Sequence, residues 1–242
     1  MEGREDLPEW ELLLRAAAGL QRILPDATLV GGMAAAIEAG HRRSLGAGHV
    51  IVGLTGRFDE VLAQLEAVAG WQTDRRQRPV VIMGRLDGIM TTVRNQRRSA
   101  PLETHEIVTT AGPLRVPTPA ETLRIKAWLI VDRNATRDFL DVAAISDKLG
   151  LEASARALAS LDRLYPQEDD RGAVRQQLMR QLAKPRPFDL DEVEPRLAEY
   201  KGITAPWRTW AAVEQRCQVL GVELAEAVAS RRQGWTDVGP VS

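Results

Sequence analysis

The feature that most constrains the fold of this chain is a glycine pair between two short apolar segments near its N-terminus. Leu29-Val30 precedes Gly31-Gly32, a helix-like run continues to Gly40, and a basic turn leads to a second apolar segment that ends at Val52. This order predicts a strand, a glycine turn, a helix, a turn and a second strand. We expect the unit to form one wall of a pocket.

The glycine pair is predicted to form the floor of that pocket. Because glycine has no Cβ, the backbone at Gly31 and Gly32 can come close to a bulky anion and point its N–H groups at it. The helix that follows, from Met33 to Ala39, directs its positive N-terminal end to the same place. The pattern therefore favours a phosphate-bearing ligand.

These residues, with the following His41-Arg-Arg-Ser44 and His49-Val-Ile, resemble the AbiEii/AbiGii-type nucleotidyltransferase toxins. That family has the polymerase-β-like nucleotidyltransferase fold, in which a Gly-Gly or Gly-Ser turn is followed on the next strand by an Asp-x-Asp pair. The resemblance implies that Gly31, Gly32, Arg43 and Ser44 bind the nucleotide. It also implies that Mg²⁺ and an NTP are the expected cofactor and substrate.

Where the family has its two aspartates, this sequence has Gly46 and Gly48. In the family the two carboxylates hold the divalent metal ions that neutralise the triphosphate, and glycine supplies no ligand. We therefore expect no metal ligands at these two catalytic positions and no activity for the chain as written. The pair was lost naturally or was removed deliberately, and the sequence leaves both explanations open.

A third carboxylate of the fold is expected on a later strand of a predicted hairpin, Val80–Met83 and Ile89–Val93. The candidates are Asp87, in the turn, and Met90, in the second strand. Strand alternation favours Met90 as the residue that faces the pocket, and methionine is no ligand for Mg²⁺. Asp87 is better explained as an ordinary turn residue.

The second informative stretch begins with Thr118 and Glu121, a capping-box pair that predicts a helix start. Lys126 follows on a largely apolar run, where a lysine either snorkels to solvent or meets an anion. The stretch again resembles AbiEii-type enzymes, in which such a lysine precedes an Arg-Asp-x-x-Asp helix. The resemblance implies that Lys126 and Arg137 contact the nucleotide and that Asp138 and Asp141 support catalysis.

Composition limits the classes of protein to consider. The net charge of −1 argues against a globally basic nucleic-acid binder, although arginine clusters (42–43, 75–78 and 94–98) lie in the N-terminal half, as a solvated face or as a binding surface. The single Cys217 excludes an internal disulfide. No apolar run reaches the ~18 residues of a membrane span, and the start has no signal-peptide pattern, so we expect a cytoplasmic protein without a membrane partner.

The remaining pattern predicts an α+β (α/β) chain with a small mixed sheet followed by helices. We expect a nucleotidyltransferase-like domain over 1–115, a helical region over 116–233 that completes the active-site cleft, and a flexible tail over 234–242. The first helix is predicted over Pro8–Leu24 and the next over Phe58–Trp71, with a polar loop over Thr73–Pro79. Beyond Gly150 the predicted helices are Leu151–Leu164, Gly172–Leu182, Leu190–Tyr200 and Trp207–Arg231.

Two functions remain open at this point. The first is an AbiEii-like toxin of a toxin–antitoxin or phage-defence system that transfers a nucleotide to RNA, by resemblance a tRNA, or to a protein, with a cognate antitoxin as partner. The second is a natural non-catalytic relative that binds a nucleotide, RNA or a protein as a regulator. Met90 favours the second function, and the matching Lys126 and Arg137-Asp138 favour the first.

Overall fold

A computed structural model describes residues 6–167 and 172–236 of the chain, with side chains for 10–167 and 172–230. The chain divides into two compact units, the first ending at Thr118 and the second beginning at Pro119. The first combines strands and helices, and the described part of the second contains helices only.

The first unit alternates helices and strands before it ends in a hairpin. Its elements are α1 (Asp6–Ile23), β1 (Thr28–Val30), α2 (Gly31–Ala39), β2 (Ala47–Ile51), α3 (Phe58–Glu66), β3 (Trp71–Gln77), β4 (Val81–Leu86), β5 (Ile89–Asn95), β6 (Thr104–Thr109) and β7 (Gly112–Pro117). The strand, glycine turn, helix and strand predicted around Gly31 are all present.

Five strands form one mixed sheet in the order β1-β2-β5-β4-β3, and β6 pairs with β7 in a separate hairpin. The β2–β5 pair is parallel, and the other pairs of the large sheet are antiparallel. One side of the sheet is covered by apolar residues of α1 and α3, among them Leu20 and Val61, which pack against Ile51, Ile82 and Val93. The other side carries Gly48 and the residues paired with it across the sheet, Thr92 on β5 and Met83 on β4.

Two local predictions in this unit are wrong. The expected polar loop over Thr73–Pro79 is largely strand β3, and the helix expected to reach Trp71 ends at Glu66. Strand β3 lies at the sheet edge, where an exposed charged sequence is tolerated because one side of the strand faces solvent. Strand β7 was not predicted, since Pro113 and Pro117 give it a loop-like composition.

The regular elements in the described part of the second unit are all helices. Its helices are α4 (Pro119–Arg133), α5 (Thr136–Leu149), α6 (Leu151–Leu158), α7 (Leu161–Leu164), α8 (Val174–Ala183), α9 (Leu190–Val193) and α10 (Trp210–Thr236). A 3₁₀ segment, Glu194–Glu199, follows α9. The α+β class with a small mixed sheet followed by helices is therefore confirmed.

The C-terminal prediction needs two corrections. Helix α10 begins at Trp210 rather than at Trp207, and it continues to Thr236, so the expected flexible tail from residue 234 is helical over its first three positions. The rest of that predicted tail, 237–242, lies outside the described residues.

His49 gives the first unit a testable dependence on pH. It lies on β2, is fully buried, and burial lowers its pKa to about 3, against the opposing effects of the Ala47 and Ala17 backbone. The unfolded chain, with an ordinary histidine pKa of about 6.5, binds the proton more readily between pH 6.5 and 3. Stability is therefore complete above pH 6.5 and falls as the pH drops through that window.

We expect His49 alone to cost about 2 kcal/mol of unfolding free energy between pH 7.5 and pH 5. Urea unfolding of the chain and of His49→Leu at both pH values measures this, because leucine does not titrate. The same loss of stability in both proteins would contradict the assignment.

Candidate functional site

The glycine turn has the backbone geometry of an anion site. Gly31 has a φ of +78°, a left-handed conformation that favours glycine, and α2 starts there. Val30 at the N-cap makes no side-chain cap, and no acidic residue occupies the first turn of this fully described helix. The N–H groups of that turn and the helix dipole are thus directed at a position without competing negative charge.

A basic and hydroxyl-bearing loop lies against this turn. A Cβ at Gly32 would come within 3.2 Å of the Arg42 guanidinium and 3.2 Å of the Ser44 hydroxyl. Ser44 Oγ donates to the Gly46 carbonyl at 2.9 Å, and Arg42 Nη1 donates to the Arg43 carbonyl at 3.2 Å. The structure therefore brings Gly31, Gly32 and Ser44 together, with half-buried Arg43 on the same loop.

The positions expected to carry the two acids are aligned with β5. The parallel register pairs Ala47 with Thr91 and Gly48 with Thr92. One step earlier, Gly46 lies beside Met90, whose Cβ would be 3.3 Å from a Cβ at Gly46. Met90 and Thr92 thus occupy the same side of the sheet as the two glycines, and Asp87 lies in the β4–β5 turn with a φ of +50°.

The two glycines differ in the space around them. A Cβ at Gly46 would lie 2.7 Å from the main-chain carbonyl oxygen of Met90, closer than real Cβ contacts. A Cβ at Gly48 would lie 3.8 Å from the Val30 carbonyl oxygen, an ordinary contact distance. The neighbouring backbone therefore leaves no room for a side chain at position 46, whereas position 48 can hold one.

The residues on this face do not fit a divalent metal ion. Magnesium needs carboxylate or other oxygen ligands, whereas Gly46, Gly48 and Met90 offer no side-chain oxygen. Among the described residues, no group of three histidine, cysteine or acidic side chains is arranged to hold a metal ion. At the two positions where the family pattern has its metal ligands, the side chains therefore offer no ligand for Mg²⁺.

The contrast between the two glycines gives a direct stability test. Gly46→Ala should destabilise the first unit by about 1–3 kcal/mol, because its Cβ meets a backbone oxygen that has to move. Gly48→Ala should change stability by less than about 1 kcal/mol, because its Cβ fits and alanine restricts the unfolded chain. Urea unfolding of both variants measures the difference, and equal losses would contradict the close approach at Gly46.

In the second unit, Lys126, Asp138 and Asp141 form a buried cluster. Lys126 Nζ is 2.6 Å from Asp141 Oδ2 and 3.4 Å from Asp138 Oδ1. The lysine side chain is 2% exposed, and neither carboxylate is exposed. The cluster joins α4 to α5. Lys126 therefore does not extend to solvent, and Asp138 does more than complement the dipole of its own helix, because both side chains form buried ion pairs.

Sequence reasoning missed Arg133, the fourth member of this cluster. Its Nε and Nη2 donate to the two oxygens of Asp138 at 2.6 and 2.8 Å, a bidentate geometry. Burial acts to lower the pKa of Arg133, but the hydrogen bonds and charge of Asp138 keep that pKa above its ordinary value. Arg133 is the last residue of α4 and Asp138 lies five residues later in α5, so their contact depends on the packing of the two helices and cannot be predicted from the spacing alone.

Arg137, which the sequence analysis placed at the nucleotide, is exposed.

The cluster pairs two cations with two anions, so its stability depends on keeping the buried charges balanced. Lys126→Met should destabilise the chain by about 3–5 kcal/mol, because Asp141 would be left buried without its nearest positive partner. Removing both charges in Lys126→Met/Asp141→Leu should restore most of that loss. Lys148→Met, at an exposed position of α5, is the control and should change the unfolding free energy by less than about 0.5 kcal/mol.

Unfolding free energies of the three variants measure this coupling. A double variant as unstable as Lys126→Met would contradict mutual compensation of the two charges.

Comparisons with known proteins support the fold and give a partial sequence match. No family model matches the chain. The chain is 37% identical over 132 residues to the heme uptake protein MmpL11 of Mycobacterium tuberculosis. This match covers 54% of this chain and 13% of that protein. It is 33% identical over 172 residues to MmpL11 of Mycobacterium leprae, covering 70% of this chain and 15% of that protein. The chain thus matches only a small part of these relatives.

The solved structures match the chain by fold. JHP933 from Helicobacter pylori is 13% identical with a TM-score of 0.53, covering 98% of this chain and 99% of that one. A nucleotidyltransferase-like protein from Paracoccidioides brasiliensis is 15% identical with a TM-score of 0.44, covering 65% of this chain and 88% of that one. The chain therefore shares its α+β fold with JHP933 over nearly the whole length of both proteins. Its described helices include none long and apolar enough to cross a membrane.

Proposed function

We propose that this chain is a nucleotide-binding protein of the nucleotidyltransferase fold that does not transfer the nucleotide as its sequence stands. The nucleotide's phosphates lie at the Gly31-Gly32 turn, and the face that would hold catalytic metal ions serves for binding instead. The protein acts in this proposal as a binding or regulatory module.

The observation that carries the proposal is the close approach at Gly46. A Cβ placed there would lie 2.7 Å from the Met90 carbonyl oxygen, so the backbone itself has adapted to glycine. A recent exchange of two aspartates for glycines would leave room for both side chains, and only position 48 has that room. Natural loss of the carboxylates is therefore favoured over deliberate removal.

The phosphate assignment is supported by the loop that lies against the turn. Arg42 and Ser44 both approach Gly32, where backbone N–H groups and the start of α2 favour negative charge. Arg43 adds a second guanidinium on the same loop. A triphosphate can be bound here by hydrogen bonds and charge without a metal ion.

The match to a small part of MmpL11 proteins also supports a module. A region that makes up 13% of the heme uptake protein MmpL11 is shared by about half of this chain. A domain joined to a transport protein is more readily understood as a binding or regulatory unit than as a free toxin.

An AbiEii-like nucleotidyltransferase toxin is the second candidate. The ion pairs among Lys126, Asp138 and Asp141, three residues that match the family pattern, support this candidate. In that case Lys126 and Arg137 would contact the NTP, Asp138 and Asp141 would support Mg²⁺-dependent transfer to tRNA, and an antitoxin would be the partner. Full burial of Lys126 in ion pairs argues against its direct access to phosphate.

Binding and transfer are measured separately to test the proposal. We expect NTP binding in calorimetric titrations, no transfer of label from any of four α-labelled NTPs to bulk tRNA with Mg²⁺, and no gain of transfer in Gly46→Asp/Gly48→Asp. Ser44→Ala should weaken NTP binding by about tenfold, because the hydroxyl at the turn is lost. Ser160→Ala, whose hydroxyl bonds Ala157 in the second unit, is the matched control.

Each result decides between the two candidates. Transfer by Gly46→Asp/Gly48→Asp, or by the chain itself, would establish the enzyme candidate and overturn the non-catalytic one. Absence of NTP binding by a folded chain would overturn the nucleotide-binding proposal.

A further inference from the structure

The register of the sheet places arginines in rows that run through the two glycine positions. Arg85 on β4 pairs with Met90, the neighbour of Gly46. Arg75 on β3 pairs with Met83, which pairs with Thr92, the partner of Gly48. In a sheet, directly paired residues lie on the same face. These arginines therefore share one face with the glycines.

A third row extends the same surface. Arg94 on β5 pairs with Val50 on β2 and with Val81 on β4. Arg75, Arg85 and Arg94 are all exposed, and Met90 is 43% exposed. We call the surface formed by Arg75, Arg85, Arg94 and the glycine positions the arginine face.

The charge of the arginine face is positive without a metal ion. Arg85 Nε is 3.4 Å from an Asp74 carboxylate oxygen, and Arg85 Nη1 donates to the Gly88 carbonyl. In a metal-dependent site, carboxylates at positions 46 and 48 would repel phosphate until a divalent ion bound between them. With glycine at both positions that repulsion is absent, so phosphate can approach the arginines directly.

The spacing of the arginines exceeds the reach of one triphosphate. From β5, which carries Arg94, to β3, which carries Arg75, the face crosses two strand spacings, or about 10 Å, and Arg94 lies four residues, or about 13 Å, further along the strands than Arg85. The row that contains Arg94 ends at a cavity of about 240 Å³, lined by Thr28, Val50 and Leu102 among others, which has room for a planar base. Several cations spread along a flat face with an adjacent partly apolar pocket fit a chain of phosphates and bases.

We propose that the arginine face binds the phosphodiester backbone of a single-stranded polynucleotide without a divalent metal ion. This inference rests on the proposed function, which puts a nucleotide phosphate at the adjoining glycine turn. Arg75, Arg85 and Arg94 contact successive phosphates, and Gly48 lets the backbone lie close to the sheet. Binding should fall with rising salt concentration, because counterions are released from the strand.

The test is fluorescence polarisation of a labelled 12-nucleotide oligouridylate with the full chain, in EDTA and in Mg²⁺. We expect the two dissociation constants to agree within about twofold. Arg75→Gln/Arg94→Gln should weaken binding by about tenfold and reduce the salt slope by about 1.4, since two phosphate contacts to a single strand are lost. The matched control is Arg76→Gln/Arg78→Gln, which removes the same charge near Glu66 and Asp59 of α3 and should weaken binding less than threefold.

A second pair of variants tests the absent carboxylate itself. Gly48→Asp has room for its Cβ and should weaken binding in EDTA by about fivefold, with partial recovery in Mg²⁺. Gly48→Asn has nearly the same size without the charge and should retain most of the affinity. Equal losses in the two variants would show that size rather than charge is responsible, and would overturn the electrostatic argument.

Failure of this inference can be told from failure of the proposed function by titrating an NTP into the same samples. Loss of oligonucleotide binding in EDTA, equal effects of the two arginine pairs, or NTP binding without oligonucleotide binding would overturn the arginine face alone. Oligonucleotide binding without NTP binding would overturn the nucleotide site at the glycine turn.

Discussion

The parallel pairing of β2 with β5 is the constraint on which the rest of the first unit depends. It places Gly48 beside Thr92 and Gly46 beside Met90, at a separation that leaves no room for a Cβ at position 46. The same pairing sets the rows that connect Arg85 and Arg75 with the glycine positions, and it puts Arg94 in the next row of the same face. The register of this one strand pair therefore determines both the positions that lack metal-binding carboxylates and the arginines that lie on the same face.

Charged side chains are buried and paired in the second unit, whereas the arginines of the arginine face in the first unit are exposed. In the second unit Lys126 and Arg133 are matched by Asp138 and Asp141 at close range, so the buried charges balance and hold α4 against α5. On the arginine face, cations outnumber anions and stay in contact with water, where an unbalanced charge costs little. The first arrangement favours a fixed structure, and the second favours an external anion.

Sequence predicted those features that depend on local pattern. The glycine turn, the hairpin at Asp87-Gly88 and the start of α4 at Pro119 all follow from short motifs with strong backbone preferences. Strands β3 and β7 were missed, because a charged run and a proline-bounded run become strands only through pairing with β4 and β6. Such pairing depends on contacts that local propensity does not encode.

The residues of the candidate site were likewise predicted only where the signal is local in sequence. Ser44 and Gly32 were found from their closeness in sequence and in the family pattern, and the structure brings them together. The role of Arg133 was missed because nothing in its sequence surroundings distinguishes it from a surface arginine at a helix end. The tight contact at Gly46 was also beyond sequence reasoning, because it depends on the position of a carbonyl group on another strand.

The position of β3 has a consequence for how the protein behaves at high concentration. As the outermost strand, it presents an edge of backbone groups that another chain could join to extend the sheet. Asp74, Arg75 and Arg76 oppose such joining, since a second strand would remove water from all three charged side chains. The charged sequence that hid this strand from prediction thus also opposes extension of the sheet at this edge.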